Sequence, residues 1–269
     1  MMHPFDEAIR LTALGGNRFT GATSPGYGNM VGPFGGITNA VLLHAILLHP
    51  ERRGEPIAFT VNFAAPVQDG SFEVEADPVR TNRSTQHWSL KLRQGEKVQA
   101  TATAVLALRR EGWSAPEATL PPRLASPQDT ARLSSNGLPV WVARNDMRFV
   151  EGGLGTLDGT ARPESTSRVW VRDDPPRPLT FESLAAICDC FFPRVFLRLG
   201  RFVPAGTVSM TTYFHADASV LEAQGDNHVL GLARGLHFRH GYFDQTAELW
   251  SHDAQLLASS HQMVYFRDK

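Results

Sequence analysis

The stretch Thr180-Phe-Glu-Ser-Leu-Ala-Ala-Ile-Cys-Asp-Cys-Phe-Phe-Pro193 is apolar on nearly every face when it is drawn as a helix. This pattern predicts a buried helix rather than a half-exposed one. Thr180 is its predicted N-cap, and Pro193 marks its predicted end. Inside the apolar part lies one carboxylate, Asp189. A carboxylate withdrawn from water costs several kcal/mol, roughly, unless it is hydrogen-bonded, so Asp189 is the first candidate for a functional residue.

Composition narrows the class of protein. The chain has 269 residues, a formal net charge of −1 and two cysteines. A nearly neutral chain has no general attraction for nucleic acid or for an acidic membrane surface. Its start is polar, unlike a secretory signal, and its longest apolar run, 37–48, is too short to span a bilayer. We therefore expect a soluble cytoplasmic protein that binds neither nucleic acid nor membrane.

The rest of the chain predicts the same order of elements twice. Each half has a strand, a buried helix and then antiparallel strands, and a Pro- and Ser-containing segment at 113–139 reads as a surface linker. The predicted helices are 37–48 and 180–193. The predicted strands are 17–23, 57–65, 71–78, 87–93 and 98–108 in the first half, and 146–151, 168–172, 207–215, 229–238, 242–251 and 256–266 in the second.

Three local similarities support an internal duplication. Phe59-Thr-Val-Asn-Phe-Ala-Ala65 resembles Met210-Thr-Thr-Tyr-Phe-His-Ala216, the segment beginning at Val98 resembles the one beginning at Leu256, and Asp146-Met-Arg-Phe resembles Asn17-Arg-Phe. Repeated supersecondary units predict two domains of one type. We place them at residues 1–112 and 140–269, joined by the linker 113–139.

A glycine-rich loop, 26–36, opens directly into the first predicted helix. Glycines before a helix let a ligand or another backbone approach closely. The loop could therefore cradle an anionic or thioester group, or it could be a tightly packed turn. From the residues alone, the packed turn is the favoured interpretation.

In five segments the sequence resembles the acyl-CoA thioesterase II family. They are Gly32-Pro-Phe-Gly-Gly36, Trp170-Val-Arg-Asp173, Ala185-Ala-Ile-Cys-Asp-Cys-Phe-Phe-Pro193, Gly206-Thr-Val-Ser-Met-Thr-Thr-Tyr-Phe-His215 and Ala258-Ser-Ser-His-Gln262. The resemblance implies an α+β double hot-dog fold, in which two tandem helix-wrapped antiparallel sheets form one pseudo-dimeric unit. It also implies a homo-oligomer, a dimer or larger.

The resemblance also implies a catalytic set. The family holds its attacking water with an Asp, a Thr or Ser and a Gln, which match Asp189, Thr207 and Gln262. This sequence departs from the family pattern after Thr207, where Val-Ser-Met-Thr-Thr replaces a stretch containing Asp and His. Thr211 or Thr212 is therefore an alternative to Thr207.

Comparison of the repeats assigns the polar set to the second half. Ala104 stands where Gln262 does, and Pro56 stands near the position of Thr207. For the oxyanion we expect backbone N–H donors from the turn before the first helix. The expected oxyanion and substrate-binding residues are Gly32, Phe34, Gly35, Gly36, Phe191, Phe192 and Phe214.

These residues suit hydrolysis of an acyl-CoA thioester by an activated water. The buried setting of Asp189 should raise its pKa, and the reaction needs no metal or cofactor, coenzyme A being part of the substrate. The chain contains no Gly-x-Ser-x-Gly motif of a serine hydrolase. One alternative is a non-catalytic acyl- or lipid-binding protein of the same fold. Another is an enoyl-CoA hydratase, but the Asp–His dyad that it would need is not found.

Overall fold

The computed structural model describes residues 2–120 and 124–268. Its helices are α1 (Pro4–Ala8), α2 (Gly35–Leu48), α3 (Phe181–Ile187), α4 (Arg194–Leu199) and α5 (Ala218–Gln224). Its strands are β1 (Thr12–Gly15), β2 (Arg18–Ala22), β3 (Glu55–Phe63), β4 (Ser71–Thr81), β5 (Thr85–Gln94), β6 (Lys97–Ala107), β7 (Asn145–Glu151), β8 (Ser167–Asp173), β9 (Ala205–Phe214), β10 (Val229–Arg234), β11 (Phe238–Arg239), β12 (Tyr242–Trp250) and β13 (Leu256–Phe266).

One antiparallel sheet runs through the molecule in the order β1-β2-β4-β5-β6-β3-β9-β13-β12-β10-β8-β7, with β11 paired to β12. The core of each half has the same plan. The order β2-β4-β5-β6-β3 in the first half corresponds to β8-β10-β12-β13-β9 in the second, and the halves join where β3 pairs with β9. The α+β class and the antiparallel pairing predicted from the alternating segments are therefore confirmed.

The helices α2 and α3 pack against each other and are covered on nearly all sides. Ten of the 14 residues of α2 and six of the seven residues of α3 are buried. Burial of this kind requires apolar residues all round the helix, which is what both segments contain. The apolar residues of both helices and of the sheet form one continuous core.

The second helix begins where it was predicted to begin. The Thr180 side chain accepts from the N–H of Ser183, and the Ser183 hydroxyl accepts in return from the N–H of Thr180. This reciprocal pair satisfies two N–H groups that the first turn of a helix leaves free. The predicted N-cap is confirmed.

The predicted end at Pro193 is wrong. The helix stops at Ile187, and the chain turns through two tighter bonds, from the N–H of Asp189 to the Ala186 carbonyl and from the N–H of Cys190 to the Ile187 carbonyl. Proline disfavours helical backbone in the residue before it, so Pro193 ends the turn and caps α4 instead. Asp189 therefore lies in a turn after the helix and not within it.

A β-bulge in each half shows which residues of the two halves correspond. The pairing register of β3 with β6 shifts between Pro56 and Ala58, and that of β9 with β13 shifts beside Thr207. Aligning the two bulges places Thr207 on Pro56 and Gln262 on Ala104. The equivalences predicted from the sequence are thereby confirmed, and the polar pair belongs to the second half alone.

One predicted similarity between the repeats is wrong. The segment 146–151 forms β7, which lies outside β8 in the sheet, whereas 18–22 forms β2, which lies inside β1. The strand that corresponds to β2 is therefore β8. A shared Arg-Phe pair in short strands could not reveal this, because alternation is the same in an inner and an outer strand.

The described residues of the predicted linker fall into two parts. Residues 113–120 have no regular structure and are largely exposed. Further on, Ala125 accepts from the indole N–H of Trp170 at 2.8 Å, and the N–H of Leu133 donates to the Met147 carbonyl at 2.7 Å. This second part packs on the outer strands of the second half. Residues 121–123 of the predicted linker lie outside the described residues. Within the described residues, the helices are all too short or too polar to cross a bilayer.

Candidate active site

Three polar side chains from the second half form a hydrogen-bonded chain. The Gln262 amide donates from Nε2 to Oδ1 of Asp189 at 2.9 Å, and its Oε1 accepts from the Thr207 hydroxyl at 3.0 Å. Gln262 is 4% exposed, and Asp189 and Thr207 are partly buried. Because the amide donates at one end and accepts at the other, its orientation is fixed. The structure thus brings the three predicted residues together.

The start of α2 lies against the Asp189 carboxylate. The backbone N–H of Gly36 donates to it, and a Cβ built on Gly35 would lie 2.6 Å from Oδ2. A Cβ on Gly36 would lie 2.5 Å from the Ala186 carbonyl oxygen. Only glycine allows these approaches without displacing a neighbour. The helix of the first half therefore completes a site whose polar side chains come from the second half.

This environment changes the proton affinity of Asp189. Burial raises the pKa of the carboxyl from 3.8 to about 7, although the hydrogen bonds from Gln262 and Gly36 oppose the rise. Desolvation penalises the charged form, and donors stabilise it. A carboxyl with a pKa near neutrality can accept a proton and release it again at physiological pH.

The three candidate threonines make different contacts in the structure. Thr207 contacts Gln262, as described above. The Thr211 hydroxyl instead lies 3.0 Å from the Thr60 hydroxyl, where β3 meets β9. Thr212 is 2% exposed and bonds to the Cys188 thiol. Of the three, Thr207 is the one positioned to hold the glutamine that contacts Asp189.

The residues of the glycine-rich loop have two different roles. Gly32 has φ +67°, and a Cβ there would lie 2.4 Å from the Val67 carbonyl oxygen, so it serves a tight turn. Phe34 caps α2 and stacks on Trp141, with ring centroids 4.1 Å apart. Only Gly35 and Gly36 of this group reach the carboxylate. For Gly32 the packed-turn interpretation fits the structure.

The predicted phenylalanines are all buried in the second half. Phe191 packs against Gly231 of β10, Phe192 lies beside Trp141, and Phe214 makes an edge contact with Phe181. Phe191 and Phe192 follow Asp189 in the same turn. Phe214 lies on β9 instead.

Sequence reasoning missed a buried arginine that holds this turn. Arg194 is 0% exposed; its Nε donates to the Phe192 carbonyl at 2.9 Å, and its Nη1 donates to the Ser165 carbonyl at 3.0 Å and the Ser167 hydroxyl at 2.6 Å. Burial lowers the pKa of the guanidinium to about 9. The sequence did contain a signal for this residue, because Arg194 directly follows an apolar segment and a proline.

Sequence reasoning also missed Gln245 and Asn39. Gln245 stands opposite Gln262 in the β12–β13 ladder, and Asn39 lies on α2. Both are 2% exposed. Alternation along β12 puts Gln245 on the same face as Phe243 and Ala247, and a polar residue on that apolar face is the signal that could have identified it.

A sheet of this topology around two buried helices, with a carboxylate at a helix start, defines a hot-dog protein. The chain belongs to the acyl-CoA thioesterase family. Residues 24–107 match the family model for the acyl-CoA thioesterase N-terminal domain, and residues 116–266 match the one for the C-terminal domain. Comparison with curated proteins finds no match.

Solved structures show the same fold. A conserved hot-dog protein of unknown function from Alicyclobacillus acidocaldarius is 47% identical, with a TM-score of 0.95 and complete coverage of both chains. A putative thioesterase II from Thermobifida fusca is 20% identical, with a TM-score of 0.84 and coverage of 99% of this chain and 98% of that one. The tesB protein of Mycobacterium avium subs paratuberculosis is 17% identical, with a TM-score of 0.76 and coverage of 98% of each chain.

Proposed function

We propose that the protein hydrolyses acyl-CoA thioesters to a free carboxylic acid and coenzyme A. The observation that carries the proposal is the Asp189–Gln262–Thr207 chain at the start of α2. It occurs in a member of the acyl-CoA thioesterase family. A thioester is already activated, so a base for water and donors for one oxyanion meet most of its catalytic needs.

Asp189 is the proposed general base. Its ionised carboxylate accepts a proton from water as the water oxygen attacks the thioester carbonyl carbon. Gln262 holds the carboxylate and the water in place, and Thr207 fixes the Gln262 amide. When the tetrahedral intermediate collapses, the carbon–sulfur bond breaks and the proton passes from Asp189 to the departing thiolate. The products, a carboxylic acid and a thiol, together contain all the atoms of the thioester and the water.

The oxyanion is assigned to backbone donors in the first turn of α2. The N–H of Gly36 is occupied by Asp189, so the N–H of Gly35 is the proposed donor. Both the free N–H groups and the dipole at a helix start favour negative charge. The acyl chain is placed beside Phe191, Phe192 and Phe214, which are all buried.

The wider assembly follows from the same proposal. We interpret the two halves as tandem hot-dog domains, 1–112 and 140–269, that form one pseudo-dimeric unit joined by 113–139. By resemblance to double hot-dog chains, a homodimer or larger oligomer is proposed. The protein is proposed to act in the cytoplasm, and the reaction as written uses no metal or cofactor.

The rival function is binding of an acyl group without turnover. Free-thiol release from a panel of short, long and aromatic acyl-CoA esters distinguishes the two, with Asp189→Ala as the paired variant. A hydrolase releases thiol and loses most of its turnover in the variant, while circular dichroism shows an intact fold. Binding of an ester by calorimetry without thiol release on any ester would support the rival.

A further inference from the structure

Gln245 lies next to the proposed catalytic glutamine. The two residues are directly opposite each other in the β12–β13 ladder, at 2% and 4% exposure. Side chains opposite each other in an antiparallel pair lie on the same face, with Cβ atoms roughly 5 Å apart. Gln245 therefore points into the interior beside the Asp189–Gln262 pair.

Only one end of the Gln245 carboxamide makes a hydrogen bond. Its Nε2 donates to the Phe191 carbonyl at 3.5 Å, a long hydrogen bond, and its Oε1 is buried without a partner. A flip of the amide would bring Oε1 against the Phe191 carbonyl oxygen, where two acceptors would repel. The geometry thus fixes Oε1 as an acceptor that needs a donor, and a buried acceptor left in this state is costly.

A second unpartnered acceptor lies on the other side of Gln262. Met210 is opposite Gln262 in the β9–β13 ladder, and its sulfur accepts from Nδ2 of Asn39 at 3.2 Å. Oδ1 of Asn39 is also buried without a partner. Two carboxamide oxygens therefore flank the catalytic glutamine, and both face buried surroundings rather than solvent.

We propose that the acyl group of the substrate carries a hydrogen-bond donor, in the form of a hydroxyl close to the thioester, and that Gln245 recognises it. This inference rests on the proposed thioesterase function. Oε1 of Gln245 accepts from the hydroxyl while Asp189 activates the water at the neighbouring carbonyl. The acyl group is the part assigned to Gln245 because the interior excludes the charged, phosphate-bearing end of coenzyme A.

The unpaired Oε1 acceptor of Gln245 would make the site selective for one kind of acyl group. A site built to bond a substrate hydroxyl rejects the analogue that lacks it, because the buried acceptor stays unpaired. The specificity would then depend on one side chain of β12. Because Gln245 contacts the acyl group and not the reacting atoms, its loss should alter the choice of ester more than the chemistry.

The test compares three esters that differ only in a hydroxyl group, each measured on the wild type and two variants. Values of kcat/KM are measured for hexanoyl-CoA, 2-hydroxyhexanoyl-CoA and 3-hydroxyhexanoyl-CoA with the wild type, Gln245→Leu and Thr246→Val. Leucine keeps the bulk of the glutamine without its amide. Thr246 is the next residue of β12 and faces the opposite side of the sheet, so it is the control.

We expect the wild type to prefer one hydroxy ester over hexanoyl-CoA by at least about tenfold, which is well within what a hydroxyl-binding site achieves. Gln245→Leu should abolish this preference, because it lowers kcat/KM for the hydroxy ester and removes the unpaired acceptor that disfavours hexanoyl-CoA, and Thr246→Val should keep the preference. Equal losses on all three esters would overturn the inference by assigning Gln245 to the coenzyme A arm or to the fold. Equal rates in the wild type would overturn it as well.

Failure of the thioesterase proposal gives a different result. If no ester releases thiol, calorimetry measures binding of the same three esters to the same variants. A binding preference for a hydroxy ester that disappears in Gln245→Leu would support recognition by Gln245 even without turnover. Equal affinities would overturn it. Thermal unfolding of each variant verifies that the fold is intact.

Discussion

The backbone of Gly35 passes so close to Asp189 that a methyl group on its Cα would lie 2.6 Å from Oδ2 of the carboxylate. The two residues come from different halves of the chain. The contact places the start of α2 against the proposed base, and the neighbouring N–H of Gly36 donates to it. A small residue at position 35 is therefore a requirement of the site rather than of the helix.

Gly35→Ala should impair activity without unfolding the protein. The added methyl group displaces the carboxylate from its hydrogen bonds, and misplacement of about 1 Å can cost on the order of 100-fold in rate. Alanine is itself favourable in a helix, so helix stability should not fall for that reason. The matched control is Gly112→Ala, because a Cβ at Gly112 meets nothing within 4 Å. Thiol release and circular dichroism are measured for both variants, and equal activities would contradict the prediction.

Thr207→Val should lower kcat by about tenfold, as expected for one lost hydrogen bond that orients the Gln262 amide. Thr207→Ser keeps the hydroxyl and should retain most of the activity. Thr211→Val is the control, since the Thr211 hydroxyl bonds to Thr60 at the junction of the halves. If Thr211→Val had the larger effect on thiol release, the assignment of Thr207 would be wrong.

Arg194→Met should destabilise the fold. The substitution leaves the Phe192 and Ser165 carbonyls and the Ser167 hydroxyl without their buried donor. We expect the free energy of unfolding in urea to fall by ~2–4 kcal/mol. Arg201→Met is the control, because Arg201 forms an exposed ion pair with Asp268, which is worth less than ~1 kcal/mol. Similar losses in both variants would show that Arg194 does not hold the turn.

Asp189→Asn should change how stability depends on pH. The pKa of Asp189 rises from 3.8 to about 7 on folding, so the folded state binds this proton more tightly than the unfolded chain. The resulting stabilisation is complete below pH 4 and is lost as the pH rises through 7. Between pH 5 and pH 8 the wild type should lose ~2–3 kcal/mol relative to the variant. Urea unfolding of both proteins at both pH values measures this, and a constant difference would contradict it.

Much of the architecture could be predicted because it depends on periodicity. Two apolar helices and the alternating strands at 256–266 and 71–78 carry clear patterns, and the structure has an element at each place. The correspondence of Gln262 with Ala104 could also be predicted, since the two final strands share their spacing. The helix end could not, because the apolar pattern continues to Phe192 while the backbone has already turned at Ile187.

The proposed catalytic residues could be named by resemblance, whereas the sequence could mark Gln245 and Arg194 only as polar residues in apolar surroundings. Asp189, Thr207 and Gln262 stand in recognisable motifs. Gln245 and Arg194 owe their burial to strands and turns that meet only in the folded chain. A glutamine in a strand is ordinary until the register places it opposite Gln262.

The most direct test of the central claim is the pH profile of kcat/KM for an acyl-CoA ester that the wild type hydrolyses. The ionised form of Asp189 is the proposed base, so kcat/KM should rise about tenfold per pH unit below neutrality and level off above an apparent pKa of about 7. Asp189→Asn should lower kcat/KM by at least about 100-fold and should lose this inflection. An inflection near 7 that persists in Asp189→Asn, or a variant with near wild-type activity, would contradict the account.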